Sequence, residues 1–195
     1  MPRVPTRLPA TTVWTVGHSN HGADTFVAIL QAHRIELVAD VRRFRASRRH
    51  PHFGEAALAE RLAQAGIGYA GFELLGGRRH VPTGEQQQGW RNTSFRAYAA
   101  YTWTPEFAEG LAQLQDLAEA QRVAMMCSEV LWWRCHRALI ADVLCFLGYE
   151  VLHIAGTGAA GAHPYTSPAR EVAGELAYPA EGGVPLQQRL RAGCC

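Results

Sequence analysis

RVAMMCSEVLWWRCHRALIADVLCFLGYEVLHI, residues 122–154, decides the fold. It opens with an apolar run, Val123 to Met126, that ends at Cys127. After a polar and aromatic loop, Leu139, Ile140, Val143, Leu144 and Leu147 recur at helical spacing. Gly148 stops that helix, and a further apolar run, Val151 to Ile154, follows almost at once. Strand, loop, helix and strand make a βαβ unit, which belongs in a parallel sheet. Ligands of such sheets bind just outside the carboxyl ends of the strands. The loop after Cys127 is therefore the expected site, and it gathers Cys127, Ser128, Glu129, Arg134, Cys135, His136 and Arg137. A helix opening near Arg134 turns its positive end to the same place, favouring an anion or a thiolate there.

Upstream, the same alternation recurs. Val13 to Val16 is a short strand that runs into Gly17, His18, Ser19, Asn20 and His21, and a helix follows from Asp24, as its cap, to His33. Ile35 to Val41 is a strand apolar on both faces that delivers Asp40 and then Arg42. A helix from Glu55 to Ala65 stops at Gly66, and Ile67 to Phe72 is a third strand leading into the glycine-rich turn around Gly76 and Gly77. Residues 81–92 lack periodicity and form a loop. One helix then carries Phe95, Tyr98 and Tyr101, and another has Thr104 as N-cap and Pro105 in its first position. Residues 155–195 are rich in Gly, Ala and Pro and are expected to pack on the surface or fray. The whole predicts an α/β fold of three layers, a mostly parallel sheet with helices on both faces. It spans residues 12–155, between a disordered leader (1–11) and a C-terminal extension (156–195).

A chain of 195 residues that is 48% hydrophobic can bury one core. Its net charge of +2 means that attraction to nucleic acid must come from a local patch. Such a patch exists at Arg42 to Phe53, RRFRASRRHPHF, where five arginines alternate with aromatics that can stack on a base. The bland alternative is a solvated loop whose arginines pair with surface carboxylates. No run approaches the roughly 20 apolar residues of a membrane span, and the N-terminus lacks the apolar core of a secretory signal, so a cytoplasmic protein with no membrane partner is expected. Of the five cysteines two, Cys194 and Cys195, are adjacent at the end of the chain, which is not a disulfide framework. They receive no role.

If the three strands are parallel neighbours, His18 with Ser19, Asp40 with Arg42, and Cys127 with Glu129 converge on one end of the sheet. The leading expectation is an enzyme acting on a nucleotide or nucleic acid, hydrolysing a bond of a modified or damaged base or its glycosidic link. Glu129 or Asp40 would activate water, Cys127 and His136 would polarise or attack, Arg42, Arg48 and Arg137 would hold phosphate, and Trp132 or Trp133 would stack on a base. His18, Ser19 and Cys135 complete the substrate side. A second expectation is thiol chemistry at Cys127, its pKa lowered by His136 and the helix terminus, with Cys135 as resolving partner. A third is a non-catalytic nucleic-acid-binding module with a structural Cys-His loop. Against these stand a packed Cys127 and a Glu129 tied to Arg134 or Arg137. The spacing C-x7-C-H offers three zinc ligands and lacks the paired C-x2-C of closed sites, so no metal and no cofactor are assigned.

Thr15-Val16-Gly17-His18-Ser19, Val38-Ala39-Asp40-Val41-Arg42 with Ser47-Arg48, Glu73 before Gly76-Gly77, and Cys127-Ser128-Glu129 with Cys135-His136-Arg137 together resemble the domain-of-unknown-function family 488 over about residues 12–155. The resemblance implies an α/β fold and a shared polar site at those positions, Ser47 included, and no particular activity. Leu75 is an extra residue before the paired glycines of the family pattern. The order strand, Cys, loop, helix, strand also resembles, more distantly, the rhodanese sulfurtransferases. A phosphatase cradle would need an arginine where Trp133 stands.

Overall fold

The computed structural model describes residues 11–80, 82–84 and 87–186. The leader through residue 10, Cys194 and Cys195 lie outside the described residues. In chain order the elements are β1 (Thr12–Gly17), α1 (Ala23–Ala32), β2 (Leu37–Asp40), α2 (Glu55–Gln64), β3 (Gly68–Gly71), α3 (Thr93–Tyr101), α4 (Pro105–Ala120), β4 (Val123–Cys127), α5 (Arg137–Phe146) and β5 (Glu150–Ile154). Short strands follow, β6 (Gly161–Ala162), β7 (Arg170–Val172), β8 (Glu175–Ala177) and β9 (Val184–Pro185). The main sheet has the order β3-β2-β4-β1-β5-β6, parallel except for β6, and β8-β7-β9 form a small antiparallel sheet.

Successive strand residues point to opposite faces, and both faces are covered. Trp14, Val16, Val38, Ala124 and Met126 pack against Phe26 and Leu30 of α1 and Leu58 and Leu62 of α2. Val13, Ala39, Val41, Met125 and Val151 pack the other way, against Tyr98 of α3, Leu111 and Leu114 of α4, and Leu139, Ile140 and Leu144 of α5. The chain is therefore α/β with helices on both faces. Every residue of β4 is buried, as expected of a central strand covered twice. Each large apolar side chain so buried contributes about 1.5–3 kcal/mol.

Three local expectations change. Asp24 does not cap α1: Gly22 holds that position without a side-chain bond, and the Asp24 carboxylate takes Arg61 at 2.9 Å instead. Helix α5 starts at Arg137, because Trp132–Arg134 form a separate 3-10 turn and Cys135 is extended. The extension does not merely wrap the surface. His163, Thr166 and Tyr178 reach the fully buried Asp142 carboxylate, which demands donors wherever it lies. Thr104 does cap α4, accepting from the Phe107 amide at 3.3 Å. Among the described residues no helix is long and apolar enough to cross a membrane.

Candidate active site

The carboxyl ends of β2, β4 and β1 lie side by side, with Asp40 opposite Met126 and Gly17 opposite Cys127. Pairing continues past the strands: the His18 amide donates to the Cys127 carbonyl at 3.0 Å and the Ser19 amide to the Ser128 carbonyl at 3.1 Å. Gly17 makes this possible, since a Cβ there would collide with the Glu129 carbonyl oxygen and the Val130 backbone. His18, Arg42, Cys127 and Glu129 are thus brought together, as expected.

They line an open cleft of about 780 Å³. Among the described residues of its lining, Arg42, Arg43, Arg49, Arg78 and Arg134 are basic and Glu129 is the one carboxylate. Glu129 is exposed, enters none of the ion pairs among the described residues, and accepts only the Leu131 amide at 3.3 Å. Phe44, 65% exposed, stands at the rim with the Arg78 guanidinium over its ring. Ser19 and Arg78, both in the lining, hold positive φ (49° and 54°), an uncommon conformation that recurs at functional sites.

At the floor lie Cys127, Cys135 and His136, with their sulfur and ring-nitrogen donors all within 4.8 Å of one another. His136 Nε2 is 2.9 Å from the Val41 carbonyl oxygen, which can only accept, so the ring proton is on Nε2 and the Nδ1 lone pair faces Cys135 Sγ at 3.6 Å. The expected activation of Cys127 is reversed. Cys127 donates to Cys135 and is pushed up by that bond and by burial, whereas Cys135 is lowered to about 6 by the Cys127 bond and by the adjacent Arg137. The asymmetry has a plain cause: Arg137 Nε donates to Cys135 Sγ at 3.4 Å and not to Cys127.

Several expected ligand-holding residues have other work. Asp40 is fully buried and receives Arg42 Nε at 2.9 Å, Arg42 Nη2 at 2.6 Å and the Tyr69 hydroxyl at 2.6 Å, so its carboxylate orients Arg42 and is sealed from water. Arg42 Nη1 donates to the Phe53 carbonyl at 2.8 Å and to His18 Nε2 at 3.3 Å. His18 keeps its proton on Nδ1, donated to the Ser19 carbonyl, and burial lowers it to about 4. Arg137 is buried, with its guanidinium on the Glu129 and Val130 carbonyls and Thr15. It pairs with the Glu129 backbone and not with its carboxylate.

Trp132 lies outside the cleft lining and stacks on His153 at 4.3 Å. Arg48 is exposed and also outside it, whereas Ser47 lines the cleft and holds the His50 amide at 3.0 Å. Of the cleft's basic wall, Arg134 lies in the loop expected as the site and Arg43 and Arg49 in the basic stretch; sequence reasoning gave no role to Arg78, beside the paired glycines. It also missed a directed chain. Asp142 can only accept and Arg137 can only donate, so Arg137 donates to Thr15, Thr15 to His153 at 2.7 Å, His153 to His163 at 2.8 Å, and His163 to Asp142 at 2.9 Å. No motif signals it, because its members are scattered from residue 15 to residue 163.

The family model described as "Domain of unknown function DUF488" matches residues 22–144. The chain belongs to this family. The matched part of the DUF488 chain holds Asp40, Arg42, Cys127, Glu129, Cys135, His136 and Arg137, while His18 and the extension lie outside it. No curated protein and no solved structure matches the chain.

Proposed function

We propose that the cleft is the active site of a hydrolase for a phosphate-bearing substrate, a nucleotide or nucleic acid, cleaving a bond of a modified or damaged base. What carries this reading is the unpaired Glu129 carboxylate in a cleft whose charged wall is otherwise arginine. Arginine forks suit phosphate oxygens, the exposed Phe44 ring offers a stacking face, and a carboxylate free of ion pairs can take a proton from water. Arg43, Arg49, Arg78 and Arg134 hold the phosphates, and Asp40 and Arg42 keep the His18 wall rigid.

The test is turnover on oligonucleotides, single- and double-stranded, carrying damaged or modified bases, and on the corresponding nucleotides. Glu129→Gln keeps binding and lowers turnover by about 10²–10⁴, the usual worth of a general base. If the protein binds none of these substrates, or if the variant turns over at the wild-type rate, the reading is wrong.

A second reading, thiol chemistry, is favoured by the contact of Arg137 Nε with Cys135 Sγ at 3.4 Å. It makes Cys135 the attacking sulfur and Cys127 its partner. Rapid alkylation of Cys135 under native conditions, abolished in Cys135→Ser, is its expected sign; alkylation only in denaturant removes it.

A further inference from the structure

We infer that Cys127 Sγ, Cys135 Sγ and His136 Nδ1 are ligands for one divalent cation of the zinc type, with a fourth position open to the cleft. The three donor atoms lie within 4.8 Å of one another. Zinc–sulfur and zinc–nitrogen bonds of about 2.3 and 2.0–2.1 Å, at a tetrahedral angle, put sulfur and nitrogen roughly 3.6 Å apart. Cys135 Sγ and His136 Nδ1 are 3.6 Å apart.

The surroundings are those of a ligand set held in advance. The Val41 carbonyl fixes the His136 ring and leaves Nδ1 unprotonated, the arrangement typical of metal-bound histidine. Arg137 Nε supports the Cys135 sulfur from behind. Gly77 lets the backbone lie against the face of the His136 ring, since a Cβ there would stand 2.9 Å from Nδ1 and 3.2–3.3 Å from Cε1 and Cγ, so the ring is held in place on that side as well. Two sulfurs and an imidazole select a borderline-soft ion over magnesium or calcium. On binding, thiol protons leave to solvent, and the +2 ion with two thiolates makes a site of zero net charge in the floor of a basic cleft.

All three ligands face the cleft, and three protein ligands with an open position mark a catalytic site rather than a structural one. Glu129 lies two residues past the first ligand in the same lining and is not itself a ligand. One His and two Cys are the donor set, and a separate Glu the acid-base group, with which zinc deaminases activate water against a base. This catalytic role, though not the binding site, rests on the hydrolase reading above.

The experiment is elemental analysis of the full chain purified without chelator, together with titration of the metal-free, reduced protein with Co²⁺. About one zinc per chain is expected, and cobalt should give tetrahedral d–d bands with thiolate charge transfer. Cys135→Ser and His136→Ala lower zinc occupancy by tenfold or more, since losing even an outer-shell partner of a ligand costs about 10–100-fold in metal affinity, while Glu129→Gln leaves it unchanged. Should either ligand variant fail to fold, the wild-type cobalt spectrum decides alone. Zinc below about a tenth of an equivalent with no cobalt chromophore, or a Cys127–Cys135 disulfide in place of the metal, overturns the site. Metal without hydrolysis supports the site and sinks the hydrolase reading; hydrolysis by metal-free protein overturns the site as catalytic and leaves that reading standing.

Discussion

Arg42 and Arg49 stand in one basic stretch and have opposite fates. Arg42 is 5% exposed and held by Asp40, Phe53 and His18, whereas Arg49 is exposed and lines the cleft. A buried, paired guanidinium costs several kcal/mol to strip of its partner and has little left for a ligand. Phosphate therefore falls to the exposed arginines. Arg49→Glu is expected to weaken oligonucleotide binding and to flatten its salt dependence, each lost phosphate contact removing about one from the slope. Arg48→Glu, outside the lining, leaves both unchanged, and equal effects of the two in a fluorescence anisotropy titration would refute this assignment. At this scale Glu129, Cys127 and His18 were legible because each follows a strand end. Trp132 was not, since the 3-10 turn that carries it points the ring onto His153, and a turn's direction is invisible in residue spacing.

The β4–α5 connection is held by elements distant in sequence. The chain from Arg137 through Thr15, His153 and His163 to Asp142 ties β1, β5, α5 and the extension to the loop that carries Glu129. Its direction requires a neutral His153, which burial above all, and the nearby Arg137, lower to about 3 from an ordinary 6.5. The folded protein thus refuses a proton that the unfolded chain accepts below about pH 6.5. Stability is full above that pH and falls as the pH drops towards 3, by up to about 1.4 kcal/mol per unit from this group. His18, lowered to about 4 by burial, adds a loss of the same sign. Urea midpoints should decline from pH 7 to pH 5, and midpoints that stay level would contradict a neutral His153. The helices and strands themselves were legible from periodicity and glycine stops. The extension was not, because its anchors, His163, Thr166 and Tyr178, are polar residues buried for a carboxylate that the spacing never reveals.

Across the whole molecule, five parallel strands bring distant segments into register, and the cleft opens at their carboxyl ends, where a parallel α/β sheet puts its ligands. That position followed from the order of strands and helices alone. The charge contrast did not: a net +2 hides a cleft in which five arginines face one carboxylate. The floor was legible in part: Cys127, Cys135 and His136 stand in the one loop expected as the site, but the seven residues between the cysteines do not show that a 3-10 turn folds the three donors back to within 4.8 Å of one another. The most direct test of the cleft as a site for a phosphate-bearing base is a crystal structure of the protein with a short single-stranded oligonucleotide carrying a modified base. Phosphates on Arg49 and Arg78 with the base turned toward Glu129 is the expected result; an oligonucleotide bound elsewhere, or a cleft left empty at saturating concentration, would contradict the account.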